Sequence, residues 1–519
     1  MQNELTGREG PGRIVDVIVL ILLAILLLVA ALLSIGSLLA TSYVADYEEH
    51  IAVFRDNILC NIAVVAAFVF LLKYTKRFFK SINPKRAMIV LICYTTVLGV
   101  FWVLTAQTLP RADQLDIQRN IQMILNNDFS GMRKPDSYLQ LYPFQLGIVF
   151  IFEMLLRLFG PGNLIALEMV NVVWLDLAYI AIIFLARQTF NNKKIELLTT
   201  LLLFFCLQPI LFCPFLYGNL MGLAFSLWAV YFIIKFMQTG KKGPVFISAA
   251  LICVALLAKL NSAVVLIAIC VILLLYFIKK RGWFSLVAVA IIVAISFGVS
   301  GLVQKSYEWR SSIPIGGGIP QTAWLEMGLQ QDSPRYVGWY NGYTYVVYRD
   351  SGFNTDAAAV QVQTDLKNTV DSFMADIKYA ASFFAHKTVS QWNEPSFESI
   401  YVSRGAEPVA PAQEWVFNLY YGSLNGIAVQ YFDFYVQIVY VGFAAAMFFA
   451  IKRKKDLCFL AIPLVILGGF AYHLLFEAKS QYILVYFFMM IPYAAWGYYR
   501  LVNIKLRKRE GKKETAKVE

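Results

Sequence analysis

Acidic side chains are concentrated just beyond a long apolar run, in the stretch "LPRADQLDIQRNIQMILNNDFS" at residues 109–130. Asp113, Asp116 and Asp128 stand near the end of a predicted membrane span, where a carboxylate is costly and is usually functional. A carboxylate at the boundary between lipid and water can act as a general base toward a hydroxyl that arrives from the aqueous side. Asp113 is therefore our candidate for a catalytic base.

Each of these acids also has a structural interpretation. Pro110 and Asp113 precede the helical pattern "QLDIQRNIQMIL", and Asp is a favoured N-cap residue. Asp116 lies one turn further along the same helix face, where a solvated acid is the simpler interpretation. Asp128, in "NNDFSG", is a candidate for orienting a substrate or supporting a metal ion, and a turn residue beside Gly131 is the alternative.

Isolated cations follow in other predicted turns. Lys259 stands alone between two apolar runs, where it could hold a phosphate as a compact cation or reach lipid headgroups. The turn "FEAKSQY" contains Glu477 and Lys479, of which Lys479 could neutralise a phosphate and Glu477 could fix it or a sugar hydroxyl. An ion pair at the rim of a helix bundle is the alternative for this turn. Arg111 could pair with phosphate or with Asp113, or it could anchor the chain at the membrane interface.

Amide and aromatic side chains in the same segments are weaker candidates for binding a substrate. Sugars favour such groups, but aromatic residues also form belts at membrane interfaces. The residues in this class are Tyr142, Gln145, Trp392, Gln481 and Tyr482.

Composition indicates a membrane protein with many helices. Of the 519 residues, 59% are hydrophobic and only 15% are charged, and the mean hydropathy is +0.61. A soluble protein needs far more charge to cover its surface. The net charge of +12 comes mainly from short basic loops and a basic tail. Basic loops remain on the cytoplasmic side and attract anionic lipid, so we expect no binding of nucleic acid.

Cysteine and histidine usage indicates neither a disulfide framework nor a zinc site. The seven cysteines lie in or beside apolar runs, and the three histidines are scattered. No Cys/His spacing typical of zinc ligands occurs. The sequence therefore identifies no cofactor with certainty, although paired acids could bind a divalent metal ion through their oxygen atoms.

The apolar runs predict an all-α polytopic protein with about twelve membrane spans. They lie near 15–40, 57–72, 87–107, 164–186, 195–213, 218–237, 244–259, 262–278, 283–303, 431–451, 457–475 and 480–499. The run 144–160 is interpreted as an interfacial helix, because counting it as a span would place the later basic loops outside. Both termini are then cytoplasmic, and the acidic stretch faces outward.

These spans divide the chain into six regions. They are N-terminal spans (1–107), a first outer loop with an interfacial helix (108–163), central spans (164–303), a large outer loop (304–430), C-terminal spans (431–499) and a basic cytoplasmic tail (500–519). The large outer loop is polar, aromatic and rich in turn signals, so a mixed α/β or irregular structure is expected there. Large loops on a membrane scaffold usually carry function.

The order of these features resembles that of the GT-C fold of membrane glycosyltransferases. A span is followed by an outer acidic motif, the element "YPFQ", an interfacial helix and many further spans, with "LLAKLNSA", "SQWNEPSFES" and "HLLFEAKSQYILVYF" downstream. The pattern is similar to that of protein O-mannosyltransferases and lipid A aminoarabinose transferases, in their bacterial cell-envelope branch. Gln114 follows Asp113 where the mannosyltransferases have glutamate, and it is a further candidate for substrate binding. Two additional spans precede the motif, and "YPFQ" lacks the double proline common in that branch.

The resemblance implies an inverting transfer of a sugar from a polyprenyl phosphate to a cell-wall polymer, a glycolipid or a protein outside the membrane. Asp113 is then the base, Lys259, Lys479 and Arg111 contact the donor phosphate, and the polar residues named above contact sugar or acceptor. A flippase or transporter of lipid-linked sugar is one alternative, although transporters usually place ionisable groups at the middle of the bilayer. A polysaccharide polymerase or ligase is another.

Overall fold

The computed structural model of the protein describes residues 11–46, 49–75, 81–331, 336–405, 413–452 and 456–504. Parts of two predicted basic loops, at 76–80 and 453–455, and the predicted tail from residue 505 onward lie outside the described residues.

Helices dominate the described residues, and they confirm an all-α polytopic membrane protein. In chain order they are α1 (Pro11–Leu39), α2 (Ile58–Thr75), α3 (Pro84–Ala106), α4 (Ala112–Leu125), α5 (Tyr138–Leu141), α6 (Leu146–Phe159), α7 (Leu164–Phe190), α8 (Lys193–Phe204), α9 (Gln208–Leu211), α10 (Asn219–Thr239), α11 (Gly243–Ala258), α12 (Ala263–Lys280), α13 (Phe284–Ser311), α14 (Thr322–Met327), α15 (Tyr343–Asp350), α16 (Thr355–Ala375), α17 (Ile377–Trp392), α18 (Ser399–Ser403), α19 (Glu414–Tyr421), α20 (Ser423–Ile451), α21 (Leu457–Leu475) and α22 (Leu484–Val502). Nine segments of the described chain are long and apolar enough to cross a membrane: α1, α2, α3, α7, α10, α12 with the turn before it, α13, α20 and α21.

Three of the twelve predicted spans differ from these nine. The run predicted at 195–213 is broken, because α8 has only 12 residues and ends before Pro209, whose ring and missing N–H disfavour a continuous helix. Helix α11 has 16 residues, which is about 24 Å and shorter than the roughly 30 Å hydrocarbon core. Helix α22 has 19 residues but is rich in tyrosine.

Helix α22 can carry several tyrosines because it lies inside the protein and not against lipid. Its residues from Leu484 to Tyr498 are nearly all buried. The hydroxyl of Tyr493 donates to the carbonyl of Phe459, and that of Tyr498 donates to the carbonyl of Ile438. Hydropathy alone does not distinguish such an interior helix from one that faces lipid.

Small residues let the backbones of α20 and α22 touch. A Cβ added at Gly497 would lie 2.0 Å from the carbonyl oxygen of Gly442, and one at Gly442 would lie 2.5 Å from the ring of Tyr498. Glycine at such crossings gives the close van der Waals packing that holds helices together in lipid.

The predicted large outer loop is mostly helical in its described residues, with irregular segments at 312–321 and 336–342, and the α/β alternative is not observed there. Its turn residues serve as helix caps: the side chain of Asn354 accepts from the amides of Asp356 and Ala357 at the start of α16, and Asp376 caps α17. The strands of the described chain are instead β1 (Ala40–Val44) and β2 (Ile51–Arg55). They form an antiparallel hairpin between α1 and α2.

The run predicted to form an interfacial helix is helical, as α6, which has 14 residues. Its buried Glu153 accepts hydrogen bonds from Arg157, one turn further on, and from Arg310 at the end of α13. The hydroxyl of Tyr307 also donates to Glu153 at 2.6 Å. These bonds satisfy a carboxylate that would otherwise be costly to bury, and they fix α6 and the loop before it to the bundle.

Candidate active site

A cavity of about 290 Å³ lies where several helix ends meet. Asp113 at the start of α4, Lys259 between α11 and α12, and Glu477 between α21 and α22 all reach it. Its volume is just below the range of about 300–1,000 Å³ that is typical of ligand pockets. The predicted site residues that line it are Asp113, Tyr142, Gln145, Lys259, Glu477, Lys479 and Tyr482.

Asp113 lies in the first turn of α4 with its side chain in the cavity. It is not the N-cap residue, because Arg111 holds that position and makes no capping bond with its side chain. The capping interpretation of Asp113 is therefore wrong. Oδ2 of Asp113 instead accepts a hydrogen bond of 2.8 Å from the hydroxyl of Tyr217.

Tyr217 is a central residue of the cavity that the sequence analysis missed. Its hydroxyl donates to Asp113 and accepts from Nε2 of Gln145 at 2.8 Å. The next residue, Gly218, has a positive φ and forms a turn. This turn packs against the carboxyl end of α11: a Cβ added at Gly218 would lie 2.1 Å from the carbonyl oxygen of Ala258. The turn residues in "CPFLYGN", between two apolar runs, were the available signal.

Lys259 follows the last residue of α11 in an extended conformation. Its ammonium nitrogen is buried, and it makes no hydrogen bond with any residue that the structure describes. It lies 3.8 Å from the ring centroid of Tyr217 and 5.5 Å from that of Tyr482. Burial lowers the pKa of Lys259 to about 7, although the carboxylate of Asp113 opposes this shift. An incoming anion would restore the charged form and satisfy the ammonium group.

Lys479 is paired more fully than Lys259. Its Nζ lies 2.9 Å from Oε1 of Glu49 and 4.0 Å from Oε1 of Glu477. Burial lowers its pKa, but the carboxylates of Glu49 and Glu477 outweigh this and hold the pKa of Lys479 above its ordinary value. Burial raises the pKa of Glu477 to about 7 against the effect of Lys479. The hydroxyl of Tyr482 donates to Glu477 at 3.3 Å.

Glu49 is another cavity residue that the sequence analysis missed. It belongs to "ADYEEH", directly after the first span. An acidic residue directly after a membrane span is costly and usually functional, as argued for the acids after the third span, so the sequence did contain an indication of this site.

Gln481 lies beside the cavity rather than in its wall. It lines a smaller adjoining pocket, which also contains Lys259 and Asn219. Its Oε1 accepts from Asn219 at 3.0 Å, and its Nε2 donates to Glu398 at 2.9 Å. Gln481 thus links α10 to the buried turn that contains Glu398.

Four other predicted residues do not line the cavity. The guanidinium of Arg111 lies over the ring of Tyr401. Nε2 of Gln114 donates to the carbonyl of Pro214 at 3.2 Å. The other two residues are Asp128, which is exposed and caps the amide of Ser130 at 2.8 Å, and Trp392, which is buried against Phe470 and Tyr486. Each has a local partner that accounts for its position.

The region 304–430 also contributes to the cavity. Trp324 from α14 and Tyr340 and Thr344 around the start of α15 are among the residues that line it. Nζ of Lys387 donates to the carbonyls of Gly328 and Phe476, which joins this region to the turn that carries Glu477. No group of three or more His, Cys, Asp or Glu side chains in the described part of the chain could hold a metal ion.

Comparison with known proteins supports a membrane glycosyltransferase. The family model described as dolichyl-phosphate-mannose-protein mannosyltransferase matches residues 145–299, from Gln145 past Tyr217 and Lys259. This match supports the GT-C type and confirms the resemblance drawn from the loop motifs. No curated protein matches the chain.

Proposed function

We propose that this membrane glycosyltransferase moves a sugar from a polyprenyl-phosphate donor to an acceptor hydroxyl outside the membrane, with inversion at the anomeric carbon. The acceptor belongs to a cell-wall polymer, a glycolipid or a protein. We propose in addition that both termini are cytoplasmic and that the cavity opens toward the outer leaflet, which requires the shorter segments α8–α9, α11 and α22 to cross the membrane together with the nine longer ones.

Asp113 acts as the general base in this proposal. The acceptor oxygen attacks the anomeric carbon, the bond from that carbon to the phosphate oxygen breaks, and the polyprenyl phosphate leaves with the bonding electrons. Asp113 takes the proton of the acceptor hydroxyl in the same step. The hydrogen bond from Tyr217 orients the carboxylate, and Gln145 orients Tyr217 in turn.

Lys259 is the main ligand for the donor phosphate. Its buried ammonium has no hydrogen-bond partner among the described residues, so a phosphate oxygen would satisfy it. Lys479 is less free to do so, because Glu49 and Glu477 already balance its charge. Lys479 therefore stabilises the phosphate from a greater distance.

The observation that carries the proposal is the double contact of Tyr217. One side chain bonds Asp113 through its hydroxyl and lies under Lys259 through its ring. The base and the phosphate cation are thereby held on two sides of one rigid group. A sugar attached to a phosphate at Lys259 would present its anomeric carbon toward an acceptor near Asp113, which is the arrangement that an in-line displacement needs.

The test is sugar transfer by purified protein. Polyprenyl phosphates that carry mannose, glucose or galactose are mixed with the protein, and transfer to added glycan or slow transfer to water is measured. Asp113→Asn should lower kcat by about 10²–10⁴-fold while the protein remains folded. Asp116→Asn, in the same helix but outside the cavity lining, is the matched control and should retain activity. Equal rates for Asp113→Asn and the wild type would refute the assignment, and movement of lipid-linked sugar across vesicles without chemistry would favour a transporter.

A further inference from the structure

The hairpin between α1 and α2 brings Glu49 into the cavity. Strand β1 is fixed to the end of α17: the amide of Ser42 donates to the carbonyl of Asn393 at 3.0 Å, and Nδ2 of Asn393 donates to the carbonyl of Ala40 at 2.9 Å. Beyond the strands, the amide of Ala45 donates to the carbonyl of His50 at 2.8 Å. Glu49 is thus held by a docked element that the two additional N-terminal spans provide.

The two carboxylate oxygens of Glu49 have different surroundings. Oε1 accepts from the ammonium of Lys479 at 2.9 Å. Oε2 is buried and makes no hydrogen bond with any residue that the structure describes. Glu49 lines the same cavity as Asp113, and its side chain is only 15% exposed. A buried carboxylate oxygen without a donor is costly, so this atom is suited to receive a donor from a ligand.

The charge around Glu49 restricts the chemistry of that donor. A phosphate oxygen would be repelled by the carboxylate. Lys479 already neutralises Glu49, so the remaining oxygen suits a neutral donor better than a second cation. A hydroxyl is such a donor, and one sugar presents several of them in fixed directions.

The position of Glu49 indicates which of the bound sugars, donor or acceptor, would contact it. Lys479 and Lys259 are connected through Tyr482, which donates to Glu477 beside Lys479 and whose ring faces Lys259. Glu49 is therefore one side chain away from the groups assigned to the donor phosphate. The sugar bound directly to that phosphate is the nearest source of a hydroxyl.

We infer that Glu49 is a specificity-determining residue, whose Oε2 accepts a hydrogen bond from one hydroxyl of the sugar being transferred. This inference rests on the proposed function, because it assumes a sugar on a polyprenyl phosphate in the cavity. A site built to bond a hydroxyl discriminates strongly against the analogue without it, since the buried partner is then left unpaired. The hairpin thereby makes the two additional spans part of donor recognition.

The experiment measures kcat/KM for polyprenyl-phosphate mannose and for its 2-, 3-, 4- and 6-deoxy analogues, or for the same series of glucose or galactose if the wild type prefers one of these. The wild type should use one deoxy analogue roughly 10- to 100-fold less well than the parent sugar. In Glu49→Ala that ratio should shrink to within about threefold, while the ratios for the other analogues stay as in the wild type. Glu49→Gln, which preserves the shape of the side chain, should give an intermediate ratio and replaces the alanine variant if the latter unfolds.

Glu477→Gln is the control for an indirect effect, because it removes the other carboxylate near Lys479 and leaves Glu49 in place. Loss of the discrimination in Glu477→Gln to the same extent would show that Glu49 acts only through Lys479 and would overturn the inference. Unchanged ratios in both Glu49 variants, or no discrimination by the wild type, would overturn it as well. Absence of turnover with every parent donor would contradict the proposed function instead.

Discussion

Tyr217 donates a hydrogen bond of 2.8 Å to Asp113, although the two residues are 104 positions apart in the chain. The bond joins the start of α4 to the loop before α10. The ring of the same tyrosine lies under Lys259. The candidate base and the candidate phosphate ligand therefore both contact Tyr217. Substitutions of Tyr217 should separate the contribution of Asp113 to catalysis from that of Lys259 to donor binding.

Tyr217→Phe should lower kcat by roughly 10- to 100-fold with little change in donor affinity. The substitution removes a hydrogen bond to a carboxylate, which typically contributes about 1.5–3 kcal/mol, but it keeps the ring under Lys259. Steady-state kinetics with polyprenyl-phosphate sugar and a separate donor-binding titration measure the two effects. Tyr431→Phe, which removes a hydroxyl bonded to the Phe205 carbonyl away from the cavity, is the matched control. A loss of donor affinity equal to the loss in kcat would contradict this division of roles.

Lys259→Met should make the protein more stable and a poorer enzyme. The ammonium is buried without a hydrogen-bond partner among the described residues, so a side chain of similar length without charge removes a desolvation cost. We expect a higher Tm in detergent together with at least a tenfold rise in the Kd for the donor. Lys259→Arg should retain more donor binding, because it keeps the charge. A lower Tm for Lys259→Met would show that the ammonium stabilises the free protein.

Donor affinity should fall as the pH rises through about 7. Burial lowers the pKa of Lys259 to about 7 and raises that of Glu477 to about 7, so over this range Lys259 loses its charge and Glu477 gains one. Both changes make the cavity more negative, and both weaken the binding of an anion. The Kd for the donor measured from pH 6 to 8.5 should increase steadily.

Lys259→Arg is the informative variant for this pH dependence, because arginine stays charged throughout the range. The pH dependence should become shallower in it, with Glu477 responsible for what remains. The charge of Asp113 raises the pKa of Lys259, and that of Lys479 lowers it. An unchanged slope in Lys259→Arg would assign the dependence to a group other than Lys259.

Glu153→Gln should destabilise the protein without abolishing catalysis. The carboxylate is buried and bonded to Arg157, Arg310 and Tyr307, but it lies outside the cavity lining. Both arginines are partly exposed and can reach water when their partner is lost, so we expect a cost of about 1–3 kcal/mol and not the larger values seen for fully buried pairs. Thermal unfolding in detergent measures this cost, with Glu308→Gln as the matched acid on α13. Complete loss of transfer in a folded Glu153→Gln would place Glu153 nearer to the chemistry than the structure indicates.

Local sequence patterns are sufficient to identify the class of the protein and part of its candidate site. Long apolar runs predict membrane helices because each such helix satisfies its own backbone bonds in lipid. A charged residue at the end of an apolar run is costly, and this rule selects Asp113, Lys259, Glu477 and Lys479 from the order of residues alone. Applied to the first span, the same rule points to the acidic stretch "ADYEEH", which contains Glu49.

Other features depend on contacts between distant parts of the chain. Tyr217 is one tyrosine among 29, and its role follows only from the turn at Gly218 that packs against the end of α11. Asp128 and Arg111 have residue types as suitable as those of Asp113 and Lys259, but the cap at Ser130 and the ring of Tyr401 hold them elsewhere. Hydropathy predicts a membrane span at the position of helix α22, but only the structure shows that other helices cover almost all of its surface.

The sequence by itself therefore determined that the chain lies in a membrane and which side chains are too costly to be there without a partner. These properties depend on the transfer of each residue from water to lipid, which is a local quantity. The tertiary structure alone decided which costly groups meet. The packing of helix ends brings Asp113, Tyr217 and Lys259 together, and pairwise contacts of this kind have no signature in the local hydropathy of a single chain.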